Sequence, residues 1–357
     1  MLNGRPRGIA LEAEEGFVDF DGASFDPDRK IAEVLGPSAP PRPGSAGIAA
    51  LGMALPQRVV ANEEISGPLG VGPGWIETRT GIRERRRGSG EDALAALGAE
   101  AAQRTLRRSG VSAEDLDLVL VATLTQDALQ PNAAPVIADR IGARAAVALD
   151  VGAACTGFLA ALALASAQLE AGRARTALVV GAEIMSRVLD YTDRQTAGLF
   201  GDGAGAAVLT AGGPGRIGGT VLRSDGSRSE LITAAHQDRL LRMDGRATFR
   251  AAVASLSAVT REVTSDEGLS LEEIDLFVFH QANSRITAAV GERLGLPAER
   301  VVDCIERYGN TSAASLPIAL CEAAERGRLQ PGSRVLLGAF GAGLSWGATI
   351  VEWGGEA

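Results

Sequence analysis

The sequence predicts an α/β fold assembled from two duplicated halves, and three observations lead there. The segment GVSAEDLDLVLVA (110–122) returns as GLSLEEIDLFVFH (268–280), almost position for position. A second echo pairs ARTALVVGA (174–182) with GSRVLLGAF (332–340), each an apolar run that ends in small residues. Amphipathic helical patterns, about residues 91–108 and 247–264, precede both copies of the first repeat. Each copy of that repeat opens on a glycine suited to ending a helix. A serine N-cap follows, with an acidic residue three places on, Asp115 or Glu273. An apolar strand comes next, so apolar strands alternate with helices. That alternation implies largely parallel sheets covered on both faces. In such sheets chemistry gathers beyond the C-terminal ends of the strands.

The chain of 357 residues is long enough for a large core. Its 46% hydrophobic and 22% charged residues are the proportions of a globular protein in water. A net charge of −9 lacks the basic stripe that displaces counterions, so no nucleic-acid partner is expected. The cysteines, Cys155, Cys304 and Cys321, are odd in number and widely spaced, which predicts neither a disulfide framework nor a metal site. The N-terminus has no signal-peptide pattern. The longest apolar run is broken by Ser166 and Gln168 and is too short to span a bilayer, so a cytoplasmic protein without membrane association is expected. Residues 1–45 read as a poorly ordered N-terminal appendage running into the Pro/Gly/Ser linker GPSAPPRPGSAG (36–47). The compact body begins with the strand-like GIAALGMALPQRVVANEEI (47–65) and divides into halves at 46–212 and 213–357.

Cys155 stands in DVGAACTGFLAALALA (150–165), directly ahead of a helix with almost no polar side. A cysteine there packs as a small core side chain or, with its thiolate favoured by a helix N-terminus, serves as a nucleophile. His280 ends the second repeated strand, in FVFHQANSRI (277–286), and Asn310 lies in the turn RYGNTSAAS (307–315). Singly, a half-buried histidine and a turn asparagine need no chemistry. A cysteine, a histidine and an asparagine each at the end of a core element make a candidate site. His236, in AAHQDR, reads as surface. GDGAGA (201–206) fits neither GxGxxG nor GxxxxGK[ST]; its glycines permit close backbone packing, and no nucleotide cofactor follows from them.

DVGAACTGF, HQAN and GNTSAAS, in that order, resemble the thiolase superfamily and, within it, β-ketoacyl-acyl carrier protein synthase III. GWIETRTGIRERR (74–86), LFGDGAGAAVL (199–209) and FGAGLSWGA (340–348) are similar to further signatures of that family, so the resemblance covers about residues 47–353. It implies a thiolase-like five-layered αβαβα fold and a homodimer. It also implies acyl-CoA and malonyl-acyl carrier protein as substrates, with no cofactor. Cys155 becomes the acylated nucleophile, with His280 and Asn310 as partners that stabilise the enolate left by decarboxylation. The N–H groups of Cys155 and Ala342 become an oxyanion hole. By the same resemblance Trp75, Arg79 and Arg194 meet the adenine end of CoA, and Gly245 and Phe249 line the pantetheine tunnel. Asn283 belongs beside the triad, and Arg250, Arg285 and Arg293 face the acidic carrier protein. Gln130 takes the floor of the primer pocket, reaching across the dimer, where an aromatic is common in the family. Ala342 replaces a common glycine, and the lid stretch 226–245 looks short, which points toward a specialised starter unit as much as a fatty-acid initiator. Two rival readings are acyl transfer to an alcohol or amine without condensation, and an inactive partner subunit. A biosynthetic thiolase needs a second cysteine near the last glycine turn, and FGAGLSWG has none.

Overall fold

The computed structural model describes residues 44–72, 74–90 and 93–354, so the appendage assigned to 1–45 lies, but for its last two residues, outside the described residues. The first half runs β1 (Ala46–Ala54), β2 (Arg58–Ala61), α1 (Asn62–Leu69), α2 (Gly74–Thr80), β3 (Glu84–Arg87) and α3 (Ala93–Ser109). It continues through β4 (Leu118–Ala122), α4 (Ala133–Ile141), β5 (Val147–Val151), α5 (Gly157–Glu170), β6 (Thr176–Ile184) and β7 (Asp202–Ala211). The second half runs β8 (Gly215–Ser224), β9 (Ile232–Ala234), β10 (Leu241–Met243), α6 (Gly245–Asp266) and β11 (Leu276–Phe279). After these come α7 (Ser284–Leu294), α8 (Ile305–Tyr308), α9 (Ser315–Glu325), β12 (Arg334–Gly341) and β13 (Ser345–Trp353).

Two main sheets form, in the orders β1-β7-β6-β4-β5 and β11-β12-β13-β8. The repeat is visible in their pairing. β4 runs parallel to β6 as β11 does to β12, and β6 antiparallel to β7 as β12 does to β13. The counterpart of β5 has shrunk to one bridge between Phe277 and Val301. The serine caps hold as well: Ser112 accepts from the Glu114 N–H, and Ser270 forms a capping box with Glu273. The sheets are mixed, which corrects the expectation of largely parallel ones. Helical crossovers join β4, β5 and β6 in the first sheet and β11 to β12 in the second, and the pairs β4–β5, β4–β6 and β11–β12 are parallel. β12 and β13 are joined by residues 342–344, and so tight a turn permits only antiparallel pairing.

Alternation along the strands builds the layers. Val119, Val121, Leu178 and Val180 point to α3 and α4, while Leu120 and Val179 point inward to α5 and α9. The second sheet repeats this, with Val335 and Leu337 inward and Phe279 and Leu336 toward α6 and α7. The order is therefore helices, sheet, helices, sheet, helices, the five-layered αβαβα fold. The central position of α5 explains its lack of a polar side: Phe158, Leu159, Leu162 and Leu169 are fully buried. Close packing also accounts for GDGAGA. A Cβ on Gly205 would stand 2.8 Å from the Pro317 Cβ, and one on Gly203 2.9 Å from the Ile318 Cδ1, so the glycines let α9 lie against β7.

Candidate active site

Cys155 sits in a 3₁₀ turn (Ala154–Thr156) between β5 and α5, with Ala154 in the left-handed region at φ 47°. The end of β12 presses on this turn: a Cβ on Gly341 would lie 2.9 Å from the Cys155 N. Glycine is therefore required there, and the Ala342 backbone follows directly beside the thiol. A helix N-terminus by itself favours a lower thiol pKa. Burial wins instead and pushes it up to about 12, with the Glu183 carboxylate adding to the rise and a hydrogen bond with Ser312 opposing it.

His280 leaves the end of β11, where its N–H donates to the Gly338 carbonyl at 2.7 Å. The ring is 2% exposed, its Nδ1 has no partner among the described residues, and burial pushes the imidazole down to about 3. It is a neutral ring. Asn310 is pinned by its backbone, donating to the Leu199 carbonyl at 2.9 Å and accepting from the Gly201 N–H at 3.0 Å. Its Oδ1 accepts from the Ser312 N–H at 2.9 Å, which turns the amide NH₂ the other way.

These three side chains line one cavity of about 420 Å³. Leu199, Phe200, Ile232, Leu241, Met243 and Phe340 give it apolar walls, the hairpin of β9 and β10 supplying three of them. Around the cavity the Arg79 guanidinium stacks 4.3 Å from the Trp75 ring centroid. The Asn283 Nδ2 donates to the Arg79 carbonyl at 3.2 Å, and Arg285 to the Thr78 carbonyl at 2.9 Å, tying α7 to α2. Arg194 donates to the Leu69 carbonyl at 3.0 Å, at the end of α1. The structure thus brings Trp75, Arg79, Arg194, Gly245, Phe249, Asn283, Arg285 and Ala342 to the cavity that holds Cys155, His280 and Asn310. Gln130, Arg250 and Arg293 are exposed and do not line it within this chain.

Two residues escaped the sequence reading. The Ser312 hydroxyl lies 3.6 Å from the Cys155 Sγ and donates to the Glu183 Oε1 at 2.9 Å. Glu183 is fully buried, and burial pushes its carboxyl up. Its signal was in the sequence: an acid inside the apolar run of β6.

A duplicated five-layered body with a thiol, an imidazole and a carboxamide at one cavity is the arrangement of the thiolase-like class. Comparison with known proteins narrows it. Residues 149–226 match the family described as 3-oxoacyl-[acyl-carrier-protein (ACP)] synthase III, and residues 264–353 match its C-terminal family. A β-ketoacyl-[acyl-carrier-protein] synthase III of Bordetella petrii is 43% identical over 318 residues, covering 85% of this chain and 97% of that protein. The crystal structure of 3-oxoacyl-[acyl-carrier-protein] synthase III from Aquifex aeolicus VF5 superposes with a TM-score of 0.84 at 40% identity, covering 86% of this chain and all (100%) of that one. The priming β-ketosynthase from the R1128 polyketide biosynthetic pathway superposes with a TM-score of 0.85 at 36% identity, covering 90% and 100%. The chain belongs to the β-ketoacyl-[acyl-carrier-protein] synthase III family.

Proposed function

We propose that the protein takes an acyl group from acyl-CoA onto Cys155 and condenses it with malonyl-acyl carrier protein, releasing CO₂ and starting a fatty-acid or polyketide chain. One observation carries this reading: thiol, neutral imidazole and outward-turned amide line a single apolar cavity whose lining includes the Trp75–Arg79 stack. The stack suits a purine and its phosphates. The thiol attacks the acyl thioester, and the enzyme thioester that results costs little free energy relative to the substrate. The N–H groups of Cys155 and Ala342 hold the oxyanion of that step.

Malonyl thioester then loses CO₂, and the enolate oxygen accepts from Asn310 and His280. Burial of Nδ1 without a partner favours the tautomer with its proton on the other ring nitrogen, because an orphaned acceptor costs less than an orphaned donor. Two neutral donors stabilise the enolate without protonating its carbon. The carbanion attacks the acyl-cysteine. Every step uses side chains and backbone alone, so the reading calls for no resident cofactor or metal. Arg285 at the cavity, with Arg250 and Arg293 exposed on α6 and α7, offers positive charge to an acidic carrier protein. The protein works as a homodimer through the outer edge of β5, where Val147 is 58% and Leu149 55% exposed. The reading is of a cytoplasmic enzyme; no helix among the described residues is long and apolar enough to cross a membrane.

The test is sequential. The protein is incubated with acyl-CoA and weighed, then supplied with malonyl-acyl carrier protein. The expected results are an acyl adduct on Cys155 and a β-ketoacyl product. No adduct would mark an inert subunit, and transfer without a β-ketoacyl product would mark simple acyl transfer; either result overturns the reading.

A further inference from the structure

A buried carboxylate within two hydrogen bonds of the nucleophile has no part in the chemistry above. The Cys155 thiol donates to the Ser312 Oγ over 3.6 Å, and the Ser312 hydroxyl donates to the Glu183 Oε1 over 2.9 Å. The other carboxylate oxygen accepts from the Thr123 hydroxyl at 3.3 Å, the Leu124 N–H at 3.1 Å and the Thr125 hydroxyl at 2.5 Å. The Ala313 N–H donates to the carboxylate as well. Every neighbour in this set is a neutral donor, and the residue has no exposure to solvent. The fold holds the chain in place with care. Ser312 is kept in the left-handed region at φ 49°, a conformation unfavourable for a non-glycine residue. A Cβ on Gly181 would stand 2.4 Å from the Ala313 carbonyl oxygen, so β6 and the turn carrying Ser312 are pressed together two residues from Glu183.

We infer that Glu183, acting through Ser312, is a positioning residue that stores the Cys155 proton while the sulfur carries an acyl group. The inference rests on the acyl-transfer reading above. As the sulfur attacks, the S–H proton passes to the Ser312 Oγ while the Ser312 proton passes to the Glu183 Oε1. The thiol becomes a thiolate and the carboxylate a carboxylic acid. The S–C bond to the acyl group forms, the acyl–sulfur bond to CoA breaks, and CoA leaves as a thiolate that takes a proton from solution. After condensation the expelled Cys155 thiolate recovers its proton from Glu183 by the same two transfers in reverse. Over the full cycle one proton is consumed from solution, as loss of CO₂ from a malonyl carboxylate requires. His280 is unsuited to this task, because its neutral ring is held far from protonation. A carboxyl that burial pushes upward is suited to it.

The storage step has a direct readout. Acyl-CoA is mixed with the enzyme at about pH 7.5, where a free thiol such as that of CoA is mainly protonated, in weak buffer with an indicator dye and no malonyl-acyl carrier protein. Adduct on Cys155 is counted by mass in the same samples. Storage predicts uptake of about one proton per acylated Cys155, because departing CoA is protonated from solution. Glu183→Gln keeps the shape but cannot hold the proton. It is expected to take up none and to acylate about 100-fold more slowly. Ser312→Ala breaks the chain while leaving the carboxylate, and has the same expected outcome; it carries the test should Glu183→Gln fail to fold. Adduct without uptake in the wild type overturns the inference, as does undiminished uptake in either variant. A wild type that forms no adduct overturns the acyl-transfer reading and this inference with it.

Discussion

Gly341 abuts Cys155 so closely that a Cβ on the glycine would lie 2.9 Å from the cysteine N and 3.1 Å from its Cβ. Both atoms belong to segments the core holds, the end of β12 and the turn before α5, so neither yields cheaply. Gly341→Ala is therefore expected to lower thermal stability and, in the protein that folds, to push the Ala342 N–H away from the Cys155 N–H. Losing one oxyanion donor costs roughly 10²–10³ in rate. The rate of Cys155 acylation by acyl-CoA, followed by mass, should fall by that factor. Acylation within about twofold of wild type would show that the two N–H groups do not act as a pair.

The assignment of Asn310 to the enolate separates two half-reactions. Its amide oxygen is tied to the Ser312 N–H, and its NH₂ end is turned away from that bond. Asn310→Ala should leave Cys155 able to accept an acyl group within a few-fold of wild type and should slow condensation roughly 10²–10³-fold. Acylation and product formation, measured separately in single-turnover experiments, decide this. A fall confined to acylation would place the amide on the wrong step.

The sequence announced the architecture through the repeat, because the match between 110–122 and 268–280 carries caps, strand and spacing together. The ends of those strands located the nucleophile, and the motif order brought in the imidazole and the amide. Strand direction was not legible in the same way. β6 and β7 are separated by residues 185–201 with no crossover helix, and composition alone does not distinguish that segment from a helical connection. The thiol pKa is a related case: a helix N-terminus is visible in sequence, whereas the burial that pushes the Cys155 thiol up depends on segments that only the fold brings together. Glu183 and Ser312 were hidden because they meet across 129 positions of chain.

His280 gives the protein an acid sensitivity of definite sign. Its pKa is about 3 in the folded state against an ordinary 6.5, so between those values the unfolded chain binds a proton that the folded one does not. The stability contributed by its neutral burial is fully present above about pH 6.5 and declines as pH falls toward 3, by at most about 1.4 kcal/mol per pH unit. The buried carboxyls Glu183 and Asp202, pushed upward, act in the opposite direction. A difference measurement cancels them: urea midpoints at about pH 5 and 7 for wild type and His280→Asn should show a smaller acid loss in the variant. Equal losses in both would mean that His280 is protonated in the folded protein.

The last prediction concerns the edge of β5. Val147 and Leu149 share one face of an outermost strand that pairs only with β4 among the described residues, and both are more than half exposed. Leu129, 68% exposed in the loop that also carries Gln130, adds a further exposed apolar side chain. A strand edge of this kind invites pairing with another chain, and proteins that stay monomeric guard such edges with charge or proline. A second copy pairing along β5 would extend the five strands of the first sheet across both protomers and could carry Gln130 to the neighbouring cavity. Leu149→Lys places a charge in that contact. Sedimentation should find a dimer for the wild type and a monomer, still folded by circular dichroism, for the variant. Gln130→Phe should leave the dimer intact and shift primer preference toward shorter acyl groups. A wild type that sediments as a monomer, or a primer preference unmoved by Gln130→Phe, would place the primer floor on residues of the same chain.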